Sequence, residues 1–289
     1  MDGIVILDKD TGIFSRTAGW RVAKMFGTKK FGHIGTLDPM ASGVLLIAIG
    51  NATKMIPFIE ENCPNEKEYQ FGIKFGIETD TLDITGKIVK KAGKIPDENV
   101  IKIACEKLLK TTVQVPPIFS AIHIDGKRAY ELGRRGADIE LPPRPVKLYE
   151  LEYTGKTGDE FNFRVVCSRG TYVRSIVRDI AKLCDTIGTA TYIRRTKTNG
   201  FDIKNAQKLD FLENLFNNSG TVKEYLMAPD FALGDIPVIN LGGEDAKLYK
   251  NGGFIKTDGT DGLRRVYSGN EFIGIGRTVN GLLRPKKTM

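Results

Sequence analysis

A chain of 289 residues with 41% hydrophobic content is long enough to bury a sizeable core, sized for one large domain and a smaller companion. Its 43 Lys and Arg against 35 Asp and Glu leave a formal charge of +8, which favours a polyanionic partner because neutralised phosphates release counterions. Cys63, Cys105, Cys167 and Cys184 form no close pairs and, with two histidines, offer no zinc-ligand spacing; no stretch is long enough to span a bilayer, and Asp2, Asp8, Lys9 and Asp10 break up the short apolar run at the start. A soluble, reduced, cytoplasmic protein without a metal is expected.

Gly3 to Leu7 and Val44 to Ile49 are apolar runs of strand length, and Ala18 to Phe26 between them suits a helix. Glu68 to Phe75 alternates polar and apolar like a half-buried strand. Glu98 to Leu109 places Val100, Ile101, Ala104, Cys105 and Leu108 at helical spacing after a Pro-Asp start. The stretch 112–144 is rich in loop formers and carries Lys127, Arg128, Arg134, Arg135 and Arg144, the composition of a solvated, charged segment. Val146 to Tyr153 and Glu160 to Cys167 alternate like paired strands, and Tyr172 to Leu183 reads as an amphipathic helix. After the acidic and apolar stretch Asp210 to Leu226, short segments around Pro237, Leu263 and Glu271 are separated by glycine turns and read as a small β-rich unit.

Strands and helices intermix without a regular βαβ repeat, and no GxxxxGK[ST] loop is present. The expected fold class is α/β in the α+β sense: a mixed, largely antiparallel sheet with flanking helices, plus a small β-rich C-terminal domain. The expected division is 1–226 and 227–289.

The most informative segment is Gly32-His33-Ile34-Gly35-Thr36-Leu37-Asp38-Pro39-Met40-Ala41-Ser42-Gly43. Its three glycines allow unusual backbone angles and close approach of a ligand, while Pro39 holds the preceding acid at a turn. Asp38 is thereby displayed on a loop anchored by the apolar run that follows. His33 stands five positions before it.

The GHxGTLDPxAxGVL pattern resembles the catalytic motif of the bacterial TruB family, the tRNA pseudouridine-55 synthases. The similarity extends through Gly3 to Lys9, Lys67-Glu68-Tyr69, Thr79-Asp80-Thr81, Val115 to Ala121 and Cys167 to Arg174. Two departures stand out: Asp10 where the family has proline after Lys9, and Ile34 where it often has threonine. The resemblance implies a pseudouridine synthase domain with an insertion at about 112–144 that closes on the T-arm of tRNA, and a PUA-like RNA-binding domain at the end. It implies Asp38 as the essential acid, Arg174 as its partner, and Tyr69 as the ring that stacks on the target uracil and helps with the proton at C5. Tyr172 and Ile193 would line the base pocket, His33 would fill the space left by a flipped base, and Arg134 and Arg135 would grip RNA.

Such a reaction breaks the C1′–N1 bond of uridine, turns the trapped uracil and joins C1′ to C5. No electrons are exchanged, so no cofactor is expected. It needs an ionised carboxylate in a closed pocket, and a neighbouring arginine opposes the rise in pKa that burial brings. Whether the acid attacks C1′, attacks the uracil ring or removes a sugar proton stays open at this level. The expected protein is a monomer acting on tRNA; the alternatives are a guide-RNA-directed enzyme of the same class and a non-catalytic RNA-binding or tRNA-folding module.

Overall fold

The computed structural model describes residues 1–120, 122–124, 127–128 and 141–289. A nine-stranded sheet forms its centre. Its main path runs Leu148–Thr157, Glu160–Ser168, Glu66–Phe75, Gly188–Thr198, Ser42–Ile49, Gly3–Lys9 and Gln207–Lys208, while Phe31–Ile34 joins Ser42–Ile49 and Phe201–Asp202 joins Gly188–Thr198. Most neighbours are antiparallel; Gly3–Lys9 with Gln207–Lys208 and Gly188–Thr198 with Ser42–Ile49 are parallel. This is the mixed, largely antiparallel sheet expected.

Alternation of side chains across the strands sorts the apolar residues into two cores. Val5, Leu7, Leu45, Ile47, Phe71, Ile73 and Ile193 face helices Ser15–Met25, Glu98–Leu109, Val173–Leu183 and Leu209–Ser219, which contribute Ala18, Val22, Ile101, Leu108, Ile176, Ile180 and Leu212. Ile4, Ile6, Val44 and Leu46 point the other way and share a cluster with Leu233, Ile236 and Ile275. The second cluster packs the C-terminal unit against the back of the central sheet.

Glu66–Phe75 is half-buried as its alternation requires: Tyr69, Phe71, Ile73 and Phe75 point inward, whereas Gln70 and Lys74 are exposed. Helix Glu98–Leu109 has the expected bounds because Asp97 caps it, accepting from the amides of Asn99 and Val100. The first helix begins at Ser15, earlier than the spacing suggested, and has no side-chain cap. The Ser15 hydroxyl is committed elsewhere, to the loop that carries Asp38.

The C-terminal unit is a five-stranded sheet in the order Val238–Asn240, Gly262–Ser268, Glu271–Val279, Leu282–Thr288, Ile255–Lys256. Helix Gly243–Lys250, which no sequence signal above announces, buries Ala246 and Tyr249 against it.

Candidate active site

Asp38 follows the strand Phe31–Ile34, which Gly35 terminates by adopting φ +70°. The Ser15 hydroxyl donates to the Leu37 carbonyl at 2.8 Å and accepts from the Leu37 amide at 2.9 Å, pinning the loop to the start of the first helix. Leu37, Met40 and Ala41 are buried beneath, so burial of their side chains holds the turn down while the Asp38 carboxylate stays at its surface. The Asp38 carbonyl accepts from the Ala41 amide at 3.1 Å, closing the turn across Pro39. Gly43 then enters the next strand at φ +107°, where any side chain would collide with the main chain of Arg195.

Arg174 lies in the first turn of helix Val173–Leu183 and is 3% exposed. The Gln114 side chain clasps the residue before that helix, accepting from the Tyr172 amide at 2.8 Å and donating to its carbonyl at 3.2 Å. Arg174 Nε and Nη2 reach Asp38 Oδ2 at 2.9 and 2.8 Å, and the remaining donors are taken by the carbonyls of Thr81 at 2.9 Å and Phe119 at 2.8 Å. On its far side Nη1 is 3.8 Å from Asp83 Oδ2.

The two carboxylates flanking Arg174 differ in access. Asp83 is buried and its Oδ1 is occupied by the Thr81 hydroxyl at 2.9 Å, the Thr85 amide at 3.0 Å and the Thr85 hydroxyl at 2.5 Å. Asp38 is 39% exposed, so its charge is fixed by the arginine and still open to a reactant.

Tyr69 lies on the inward face of the central strand, opposite Arg195 on one neighbour and Val165 on the other. It is 7% exposed, and burial pushes its phenol pKa up while Arg195 pulls it down. Ile193, 4% exposed, stands opposite Phe71 on the same inward face, adjoining Tyr69. Tyr172 packs against Ile122 and Leu141 and lies near enough to Asp38 for that charge to raise its phenol pKa, burial being the larger cause. His33 Nε2 is 3.0 Å from the Thr36 hydroxyl, and burial, reinforced by Arg195, lowers the imidazole pKa and favours the neutral ring.

Asp38, Arg174, Tyr69, Tyr172, His33 and Ile193 therefore converge on one region, with Asp38 and Arg174 in direct contact. Arg134 and Arg135 lie outside the described residues. Four further charged residues, assigned no role in the site from the sequence, border it: Asp83, Lys9, Lys67 and Arg195. Lys9 is fully buried and donates to the carbonyls of Asp10 at 2.9 Å, Ile13 at 2.8 Å and Pro39 at 3.4 Å; burial lowers its pKa to about 8. Lys67, two residues before Tyr69 on the same face, is likewise lowered to about 8 by burial and by repulsion from Arg195. The alternation Lys67-x-Tyr69 and Ile193-x-Arg195 is the signal that would have placed both cations inward.

Asp10, at the position where proline was expected after Lys9, forms an ion pair with Lys208 at 2.6 Å, which ties down that loop by another means. Among the described residues no group of three or more His, Cys, Asp or Glu could hold a metal ion, and no helix is long and apolar enough to cross a membrane. Chemically, the arrangement presents a carboxylate held by a buried guanidinium and open on one side, beside an aromatic ring. A carboxylate so placed can serve as a nucleophile or base.

Two family models match the chain: the TruB family pseudouridylate synthase N-terminal domain over residues 23–173, and the pseudouridine synthase II TruB C-terminal domain over residues 237–289. The chain is 39% identical over 247 residues to tRNA pseudouridine synthase B of Caulobacter vibrioides, covering 85% of this chain and 78% of that protein. It is 37% identical over 290 residues to tRNA pseudouridine synthase B of Aromatoleum aromaticum, covering 99% and 92%. In fold it resembles a chain of an H/ACA RNP bound to a substrate RNA containing 2′-deoxyuridine, with a TM-score of 0.67 and 19% identity over 99% of this chain and 84% of that one.

Proposed function

The chain belongs to the TruB family of pseudouridylate synthases, and on that premise we propose that it isomerises uridine-55 in the T-loop of tRNA to pseudouridine. The observation that carries this reading is the pairing of Asp38 with the buried Arg174 on a loop that leaves the carboxylate accessible. Arg174 holds the Asp38 carboxylate in place and leaves it open on one side, to act as nucleophile or base beside the sugar.

The target nucleotide is flipped out of its loop, which costs a few kcal/mol of stacking. His33, neutral and flanked by glycine-rich backbone, occupies the gap and restores part of that stacking. The uracil enters against the Tyr69 ring, with Tyr172 and Ile193 completing an apolar wall that keeps the detached base from diffusing away. The C1′–N1 bond breaks, the ring turns and C1′ bonds to C5; the C5 proton leaves with the help of Tyr69, and N1 gains a proton. Electrons balance without an oxidant or cofactor.

Recognition then belongs to the insertion at 112–144, within a catalytic domain at 1–226, and to a PUA-like RNA-binding domain at 227–289. The protein acts as a cytoplasmic monomer on the T-arm.

The test is incubation with an unmodified tRNA transcript and position-by-position mapping of pseudouridine. Modification confined to position 55, without added guide RNA, supports the proposal. Modification elsewhere, or inactivity on the bare transcript, overturns it.

A further inference from the structure

Arg195 is a fully buried arginine on the central strand Gly188–Thr198. Nε donates to the Val44 carbonyl at 2.8 Å and Nη2 to the Gly35 carbonyl at 2.7 Å, while Nη1 is buried and has no hydrogen-bond partner among the described residues. Nor is any carboxylate among the described residues within ion-pair distance of it, although a lone buried charge is costly unless paired. An orphaned cationic donor inside a fold calls for an explanation.

Its surroundings supply one. Arg195 and Tyr69 are directly opposite each other on adjacent antiparallel strands, with both side chains on the inward face. The guanidinium borders the Tyr69 hydroxyl closely enough to oppose the rise that burial imposes on the phenol. With Nε and Nη2 held by carbonyls, Nη1 is the donor left for the phenol oxygen. The same two carbonyls flank the Asp38 loop at Gly35 and Val44, so one side chain ties the loop of the acid to the strand of the tyrosine.

We propose that Arg195 is a positioning residue for Tyr69: its free Nη1 fixes the direction of the phenol oxygen and supports the phenolate form, whose charge is discharged when that oxygen accepts the C5 proton of the trapped uracil. This rests on the isomerase reading above. The C5 proton passes to the phenolate oxygen of Tyr69, leaving a neutral phenol, while the C5–H electron pair returns to the uracil ring; the proton Tyr69 gave up beforehand is matched by the one N1 gains, so no redox partner is involved. Arg195 touches neither reactant; it acts through Tyr69.

The experiment replaces Tyr69 with a fluorinated tyrosine whose electron-poor ring titrates nearer neutrality. The fluorine resonance is followed against pH in the otherwise unaltered protein, in Arg195→Met and in Arg195→Lys. Loss of the guanidinium should raise the phenol midpoint by about one pH unit or more, a tenfold change in its ionisation constant. Lysine keeps the charge and the fold but cannot hold both carbonyls and reach the phenol, so its midpoint should rise by less, yet measurably. Single-turnover rate at saturating RNA should fall about tenfold or more in the methionine variant with the RNA dissociation constant unchanged. An unmoved midpoint in Arg195→Lys, or in Arg195→Met if it folds, overturns the inference, as does a change confined to RNA affinity. The titration needs no turnover, so it remains decisive if the reaction assigned to the protein is wrong, whereas a wrong reaction shows as absence of pseudouridine with the unaltered chain.

Discussion

Asp38 and Arg174 are 136 positions apart in the chain and 2.8 Å apart in space, and the arginine is sealed while the acid is not. All three nitrogens of the guanidinium are used: Nε and Nη2 reach Asp38, Nη2 also reaches the carbonyl of Phe119, and Nη1 reaches that of Thr81. The arginine is thus fixed by the main chain, and in turn fixes the orientation of the carboxylate.

Asp38→Asn should abolish isomerisation, by on the order of 10³-fold or more, with RNA affinity nearly intact, because the amide keeps the shape and removes the reactive charge. Arg174→Lys should lose about 10²-fold, since three donors on one nitrogen cannot replace four contacts made from three nitrogens of a planar fork. Single-turnover rates on unmodified tRNA check both; substantial turnover in the first variant removes Asp38 from the chemistry.

His33→Ala should slow the reaction less than Asp38→Asn does. A substrate whose target base is already unstacked should recover part of the loss, since the cost met by His33 has been removed beforehand. Equal slowing on stacked and unstacked substrates would mean that His33 serves the loop through its 3.0 Å contact with Thr36 and not the RNA.

Lys67 links the site to pH. Its pKa in the fold, about 8, lies below its ordinary 10.5, so the unfolded chain binds more protons between those values and stability rises with pH across that window. The penalty of the buried charge is fully present below pH 8. Lys67→Met should therefore melt at a higher temperature than the parent at pH 7, with the gap closing as pH rises toward 10.5. Thermal melts of both proteins at several pH values decide it; a gap that widens with pH contradicts the burial of this cation.

An isolated T-arm hairpin should serve as substrate, because RNA is recognised through shape, phosphates and exposed bases more than through long sequence. Its affinity should fall steeply with salt, and reversing the charges of Arg134 and Arg135 should weaken binding and flatten the slope by about 0.7 for each phosphate no longer neutralised. Binding isotherms across a salt series measure this. An inert hairpin beside a reactive full tRNA would move recognition to the C-terminal unit.

The sequence alone carried what short-range stereochemistry decides. Gly35 and Gly43, which adopt positive φ, and Pro39 mark the turn that displays Asp38, and Asp97 with the helical spacing behind it sets the bounds of Glu98–Leu109. The alternation around Tyr69 and Phe71 identified an inward face, and the same local logic indicated the paired strands after Val146. Tertiary structure decided everything that depends on which strands are neighbours. Asp83 is a second carboxylate for Arg174 only because the chain folds 91 positions back to the helix Val173–Leu183. Arg195 reads as an ordinary surface cation until the strand Gly188–Thr198 is placed between Glu66–Phe75 and Ser42–Ile49, which closes protein over both sides of it. Burial and electrostatic coupling are properties of distance in space, and a strand order that joins residues over a hundred positions apart is not written in any local window of the chain.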